Sequence, residues 1–196
     1  KNNNIESRSS PAVANGYVYV GSNDGYVHKL NALDVSQEIA NFSSSGSIES
    51  SPTIANGYVY VGSNDNNVYQ LNATDMSLVN SYSTGNSVSS SPTIANGYVY
   101  VGSVDYNIYQ LNASNISQEI NRYSAGDYIQ SSPAVANGYV YIGNTNGDFY
   151  QLNATTMNEV NKYTSDGEIY RSSPAVSKNG YVYFGGGDYD NKVYQL

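Results

Sequence analysis

The residues best suited to chemistry in this chain are acids placed in recurrent turns. Asp24, Asp65, Asp105, Asp148, Asp188 and Asp190 each follow a Tyr-Val-Tyr-Val-type run, and Glu49, Asp127, Asp166 and Glu168 follow later in the same units. Carboxylates converging from several turns could hold a hard cation such as Ca²⁺, which wants six or more oxygen ligands. The competing explanation is local: Asp and Asn favour tight turns because their side chains bond nearby backbone amides. No single turn has the spacing of a calcium loop, so the second explanation is the expected one, with Asp24, Asp65, Asp105, Asp188 and Asp190 the residues to watch for metal.

Other catalytic chemistry finds little support. The chain has no Cys, which excludes a thiolate ligand set, a Cys nucleophile and a disulfide framework. His28 is the only histidine. It occupies the repeat position of Tyr69, Tyr109, Tyr150 and Tyr194, so it reads as a replacement for a packing aromatic. Serines such as Ser89–Ser91 recur before each Ser-Pro, but no base recurs with them, so a Ser nucleophile is not expected. Their expected role is to satisfy backbone groups near a common axis. The glycines punctuate hairpins and no helix follows them, so no phosphate loop is present.

Two further constellations concern surfaces. Asn72-Ala-Thr74, Asn112-Ala-Ser114, Asn153-Ala-Thr155, Asn115-Ile-Ser117 and Asn41-Phe-Ser43 are N-glycosylation sequons. All five fall at positions expected to be exposed, so Asn41, Asn72, Asn112, Asn115 and Asn153 are the candidates for modification. Tyr106, Tyr128, Tyr170 and Tyr189 lie in or beside loops, with Asp127 among them. Aromatic faces ringed by carboxylates and amides suit sugar or protein recognition.

The elements that must position these residues are set by a repeat. Residues 51–63 and 91–103 are both SPTIANGYVYVGS, and Pro11, Pro52, Pro92, Pro133 and Pro174 recur at spacings of 41, 40, 41 and 41. Each unit carries Asn-Gly between β-branched and aromatic runs, at Asn15-Gly16, Asn56-Gly57, Asn96-Gly97, Asn137-Gly138 and Asn179-Gly180, the signal of a type I′ hairpin. No 3.6-residue period appears. The second unit reads as strand A over Ser51–Ala55, strand B over Tyr58–Ser63, strand C over Asn67–Asn72 and strand D over Leu78–Tyr82. Strand B carries large side chains on both faces, Val59 and Val61 on one and Tyr58 and Tyr60 on the other. A sheet with one wet face would alternate apolar and polar. Burial of both faces suits stacked blades. Ile39 and Phe42, Val79 and Tyr82, Ile120 and Tyr123, and Val160 and Tyr163 read as the inward anchors of strand D.

The reading is all-β: a β-propeller of four-stranded blades of about 41 residues, near 9–49, 50–89, 90–130, 131–171 and 172–196. Five units are seen and the last is incomplete, stopping after strand C. Residues Lys1–Arg8 resemble the approach to strand A, so no closing strand is evident. A piece of a longer propeller, a five-bladed ring with one three-stranded blade, and completion by neighbouring copies all remain open. An unpaired last edge would invite strand addition, including self-assembly.

The pattern Gly-Tyr-Val-Tyr-Val-Gly-Ser, then Asp-Gly, then Val-Tyr-Gln-Leu-Asn-Ala resembles the PQQ-like repeat. That repeat builds the propellers of quinoprotein dehydrogenases, of the outer-membrane assembly lipoprotein BamB, and of many bacterial and archaeal surface proteins. Quinoprotein dehydrogenases stack their cofactor on a Trp and use a disulfide, a Ca²⁺ site and a catalytic Asp. With no Trp and no Cys these parts do not map onto this chain, and PQQ binding is not expected.

The bulk numbers narrow partners. The formal net charge is -8, with 8 Lys and Arg against 16 Asp and Glu. That balance disfavours nucleic acid and anionic lipid surfaces. No apolar run is long enough to span a membrane as a helix. Charged residues are only 12%, about half the usual share, and Asn, Ser, Gly and 22 Tyr carry the polarity instead. The expectation is a non-catalytic extracellular or cell-surface module, structural or adhesive, a surface-layer or filament component that contacts other proteins or its own copies. A carbohydrate-binding propeller is the first alternative and a fragment of a quinoprotein dehydrogenase the second.

Overall fold

The computed structural model describes residues 5–187 and 190–196, and these form strands joined by turns with no helix. Blade 1 comprises β1 (Ala12–Ala14), β2 (Tyr17–Gly21), β3 (Tyr26–Asn31) and β4 (Asp34–Ser43). Blade 2 comprises β5 (Thr53–Ala55), β6 (Tyr58–Gly62), β7 (Asn67–Asn72) and β8 (Leu78–Ser83). Blade 3 holds β9 (Thr93–Ala95), β10 (Tyr98–Gly102), β11 (Asn107–Asn112) and β12 (Asn115–Ser124). Blade 4 holds β13 (Ala134–Ala136), β14 (Tyr139–Gly143), β15 (Asp148–Asn153) and β16 (Glu159–Thr164). Blade 5 has three strands, β17 (Ala175–Val176), β18 (Val182–Gly185) and β19 (Val193–Gln195). Every sheet is an antiparallel meander in chain order. The fold is an all-β propeller arrangement.

The turns follow from their residues. At Asn15-Gly16, Asn56-Gly57, Asn96-Gly97 and Asn137-Gly138 both residues have positive φ, as a type I′ turn requires. Asn179-Gly180 departs from that expectation. The extra Lys178 lengthens the connection, Gly180 alone takes positive φ, and Ser177 N–H bonds the Tyr181 carbonyl instead.

The core lies between blades rather than within them. Four apolar clusters fill the four seams. In the seam of blades 2 and 3, Tyr60 and Val68 meet Val99, Val101, Leu111 and Ile116. Val59, Val61 and Leu71, on the other face of the same strands, fill the seam with blade 1. The first three seams also carry buried polar bonds from blade to blade. Tyr60 Oη donates to the Ala113 carbonyl at 2.6 Å, and Gln70 Nε2 donates to the same oxygen at 3.1 Å. Tyr100 and Gln110 repeat this on Ala154. In blade 1 a Lys replaces the Gln: Lys29 Nζ donates to the carbonyls of Ala73 and Thr74, both at 2.8 Å, and lies 4.0 Å from the Tyr17 ring centroid.

The serines before each Pro do two jobs. Ser50 Oγ accepts from Gly62 N–H and donates to the Gly62 carbonyl, both at 2.8 Å, closing its own blade. The next serine joins neighbours: Ser10 N–H donates to Ser51 Oγ, Ser51 N–H to Ser91 Oγ, and Ser91 N–H to Ser132 Oγ.

Strand D differs from expectation. Ile39, Val79, Ile120 and Val160 are 48%, 39%, 41% and 50% exposed, so they do not anchor the strand. Each sits where the register skips, between Glu38 and Ala40, Leu78 and Asn80, Glu119 and Asn121, or Glu159 and Asn161. This is a β-bulge, whose extra residue turns outward and disrupts the free edge. Phe42, Tyr82 and Tyr123 do pack inward, against Tyr69, Tyr109 and Tyr150 of the following blade.

Gly62 shows how tightly a seam closes. A Cβ there would stand 2.4 Å from Val88 Cγ1 and 2.6 Å from the Val88 carbonyl oxygen. Gly57, at φ +81, has open space. Gly62→Ala is expected to lower unfolding free energy by about 3 kcal/mol and Gly57→Ala by roughly 1 kcal/mol. Urea unfolding of the two variants checks this order, and equal losses would contradict it.

Candidate functional site

The B–C turns and D–A loops meet at one end of the blades, because each D–A loop bonds the turns on both sides. Ile48 N–H donates to the Ser22 carbonyl of blade 1, while the Ser47 carbonyl accepts from Asn64 N–H of blade 2. Asn23 N–H bonds the Glu6 carbonyl in the same way, so residues 5–8 occupy a D–A loop position. Most functional candidates lie on this end.

The turn acids are spread one per blade and are occupied locally. Asp65 accepts from Asn67 N–H at 3.1 Å, Tyr69 Oη at 2.7 Å and Ser45 N–H at 3.0 Å. Asp105 accepts from Asn107 N–H, Tyr109 Oη and Gly85 N–H. Asp190 takes Tyr194 Oη and Lys192 Nζ. Asp148 begins β15 rather than standing in the turn, and is buried against Lys162 Nζ at 2.7 Å and Thr164 Oγ1. Asp24 is exposed and accepts from Tyr26 N–H. Asp188 and Tyr189 lie outside the described residues. Among the described residues no three His, Asp or Glu side chains come together in a way that could hold a metal ion.

Near the axis, Glu49 receives Arg171 Nη2 at 2.6 Å and Arg8 Nη1 at 3.2 Å. Arg8, Glu49, Ser89, Gln130 and Arg171 each precede the repeated Ser-Ser-Pro element by one place. The ion pair therefore spans from the approach of blade 2 to that of blade 5, and shows the units curving about a common axis. The Tyr170 ring lies 5.2 Å from the Arg171 guanidinium.

The binding-face candidates split. Tyr106 and Tyr128 come together, with ring centroids 5.3 Å apart and planes at 35°. Asp127 joins them, its Oδ1 accepting from Tyr128 N–H at 2.7 Å and from Thr145 Oγ1 at 3.1 Å. Tyr128 and Asp127 push the Tyr106 phenol above its ordinary pKa. Tyr170 instead belongs to the Arg171 and Glu49 cluster. That cluster is not legible in the sequence, since Glu49 resembles the other loop acids and Arg8 and Arg171 stand in units far apart along the chain.

The sequons differ in exposure. Asn41 is exposed on the outer strand with Nδ2 donating to Glu38 Oε1 at 3.1 Å. Asn72, Asn112, Asn115 and Asn153 are half-buried, each Oδ1 accepting a backbone N–H two residues on. His28 lies where its repeat equivalents lie, stacked with Tyr26 and bonded through Nδ1 to Glu38 Oε1 at 2.8 Å.

A family model described as outer membrane protein assembly factor BamB matches residues 1–196. No curated protein matches the chain. Among solved structures, the crystal structure of BamB from Moraxella catarrhalis is similar, with a TM-score of 0.78 at 17% identity over 97% of this chain. The match covers 58% of that protein, so this chain spans less than two thirds of its length. At that identity the likeness is one of fold.

Asp65 supplies a pH test of the turn chemistry. Burial raises its carboxyl, but the hydrogen bonds from Tyr69, Asn67, Ser45 N–H and Ser63 outweigh burial and hold its pKa below the usual carboxylate value. A depressed folded-state pKa gives stability that is present above the unfolded pKa, about 3.9, and lost as pH falls through the folded value. Asp65→Asn is expected to flatten the acid limb of the urea midpoint below about pH 4. An unchanged acid limb would show that these bonds do not favour the ionised form.

Proposed function

Because the chain belongs to the PQQ-like repeat family described as outer membrane protein assembly factor BamB, we propose that it is a non-catalytic protein-interaction module acting at the cell surface or outside the cell. Its role there is structural or adhesive. The observation that carries this reading is the division of labour between repeat and loops. The hydroxyls and amides that recur from unit to unit are spent on seams and clamps, as Ser50, Tyr60 and Gln70 are. What varies from blade to blade is the loop end, where Tyr106, Tyr128 and Tyr170 stand 44%, 43% and 41% exposed on rigid supports. Rigid, half-exposed tyrosines give large contact area at small entropic cost, which suits protein recognition.

The location rests on composition: few charges, an amide- and hydroxyl-rich surface, and five sequons, of which Asn41 is the best presented. Glycans on that rim would leave the loop end free. A propeller built of near-identical units also suits an array more than a single reaction centre.

Electron microscopy of native material, with intact mass on the same sample, tests the reading. Filaments or sheets with mass above that of the bare polypeptide are expected. Discrete, unassembled particles of bare polypeptide mass would contradict the structural and surface role.

A further inference from the structure

The seam of blades 3 and 4 departs from the seam before it in a way the fold does not require. The two D–A loops share one backbone frame. Thr84 N–H bonds the Asn66 carbonyl and Ala125 N–H bonds the Tyr106 carbonyl. Asn86 Oδ1 accepts from Ser87 N–H as Asp127 Oδ1 accepts from Tyr128 N–H. In this otherwise closely repeated chain, Asn66, Asn86 and Ser87 of the earlier frame become Tyr106, Asp127 and Tyr128 in the later one.

The change costs stability. Tyr106 stands at φ 75, at a position filled elsewhere by Gly25, Asn66, Gly147 and Asn191. A bulky residue held in the left-handed region is strained, because its Cβ crowds the backbone. Nothing in the core gains from it, since both rings are more than two-fifths exposed. Strain at an exposed, contacting aromatic pair points to use of its surface.

We propose that Tyr106, Tyr128 and Asp127 form a site for a cationic side chain, an arginine presented by a partner protein. The proposal rests on the protein-interaction reading and names the chemistry of the partner. Two ring faces attract a guanidinium through their quadrupoles, and Arg stacks flat on such rings. Asp127 supplies the charge. Its Oδ1 is occupied by Tyr128 N–H and Thr145 Oγ1, and among the described residues no Lys or Arg pairs with it. Glu49, Asp148, Asp166 and Asp190 each have a cation already. One remaining carboxylate oxygen beside two π faces matches a cation better than a sugar. A sugar wants several directed acceptors and donors for its hydroxyls.

The test is NMR titration of the labelled chain with a blocked arginine tripeptide, its citrulline counterpart and a neutral hexose oligosaccharide. A variant carrying Tyr106→Asn, Asp127→Asn and Tyr128→Ser is titrated beside it. That variant takes the residues of the preceding frame, so it is expected to fold, and its spectrum checks this directly. Saturable shifts at Asp127, Tyr128 and Thr145 with the arginine peptide are expected. Binding should be about tenfold weaker for citrulline, and for Asp127→Asn alone, because each removes the charge from a charge-assisted contact. Equal binding of citrulline, shifts from the oligosaccharide alone, or no shifts at this seam would each overturn the proposal. None of these outcomes bears on whether native material assembles, so the broader reading stands or falls separately.

Discussion

Each blade hides both faces only if its neighbours are present, and that single constraint organises the molecule. A lone four-stranded meander of this sequence would leave Val59, Val61 and Leu71 wet on one side and Tyr60 and Val68 on the other. Stacking removes all of them from water and also creates a problem, because the tyrosine hydroxyls and glutamine amides go in with the valines. An unpaired buried hydroxyl or amide costs about 1–3 kcal/mol. The seams solve this by aiming those groups at the Ala73, Ala113 and Ala154 carbonyls of the next blade. The bond exists only when blades are in register, so burial and register reinforce each other.

The same constraint explains the rest of the repeat unit. In blades 1 to 4 a glycine ends strand B because an Ile or Val of the next loop sits where a Cβ would be: Ile48 on Gly21, Val88 on Gly62, Ile129 on Gly102 and Ile169 on Gly143. Serine recurs before the prolines because its hydroxyl clamps that glycine and the next serine receives the neighbouring backbone. With so much of the repeat committed to seams, variety is left to the loop end. Tyr106, Asp127 and Tyr128 are an instance: same frame as the preceding loop, different chemistry, and a strained backbone residue to support it. The Arg8, Glu49 and Arg171 cluster is another, built from one repeat position by changing the side chain and not the backbone.

Much of this fold was legible in the residues. The Asn-Gly turns, the Tyr-Val-Tyr-Val runs and the period show five repeated units, their strand order and the two buried faces, and strand C of blade 2 has the expected bounds, Asn67–Asn72. The misread parts have local causes. Ile39, Val79, Ile120 and Val160 look like anchors because they are apolar, but a bulge shifts the two-residue alternation by one place. Asn179-Gly180 carries the hairpin signal, yet one inserted lysine alters the turn. Asp148 resembles the turn acids but enters two positions later, where Asn67 and Asn107 stand in other blades, and so becomes a buried partner of Lys162. The pairing of Tyr106 with Tyr128 depends on which loop lies over which turn, which spacing alone does not reveal.

Hydrogen exchange at the serine amides that cross between blades tests most directly whether seams hold the molecule together. Ser51 N–H reaches Ser91 Oγ at 2.8 Å and Ser91 N–H reaches Ser132 Oγ at 2.9 Å. If the seams govern stability, these two amides exchange only through the same opening that exposes the central strands β6 and β10, at matching free energies. Rapid exchange at Ser51 and Ser91 while β6 and β10 stay protected would mean that the blades are stable singly and the seams incidental.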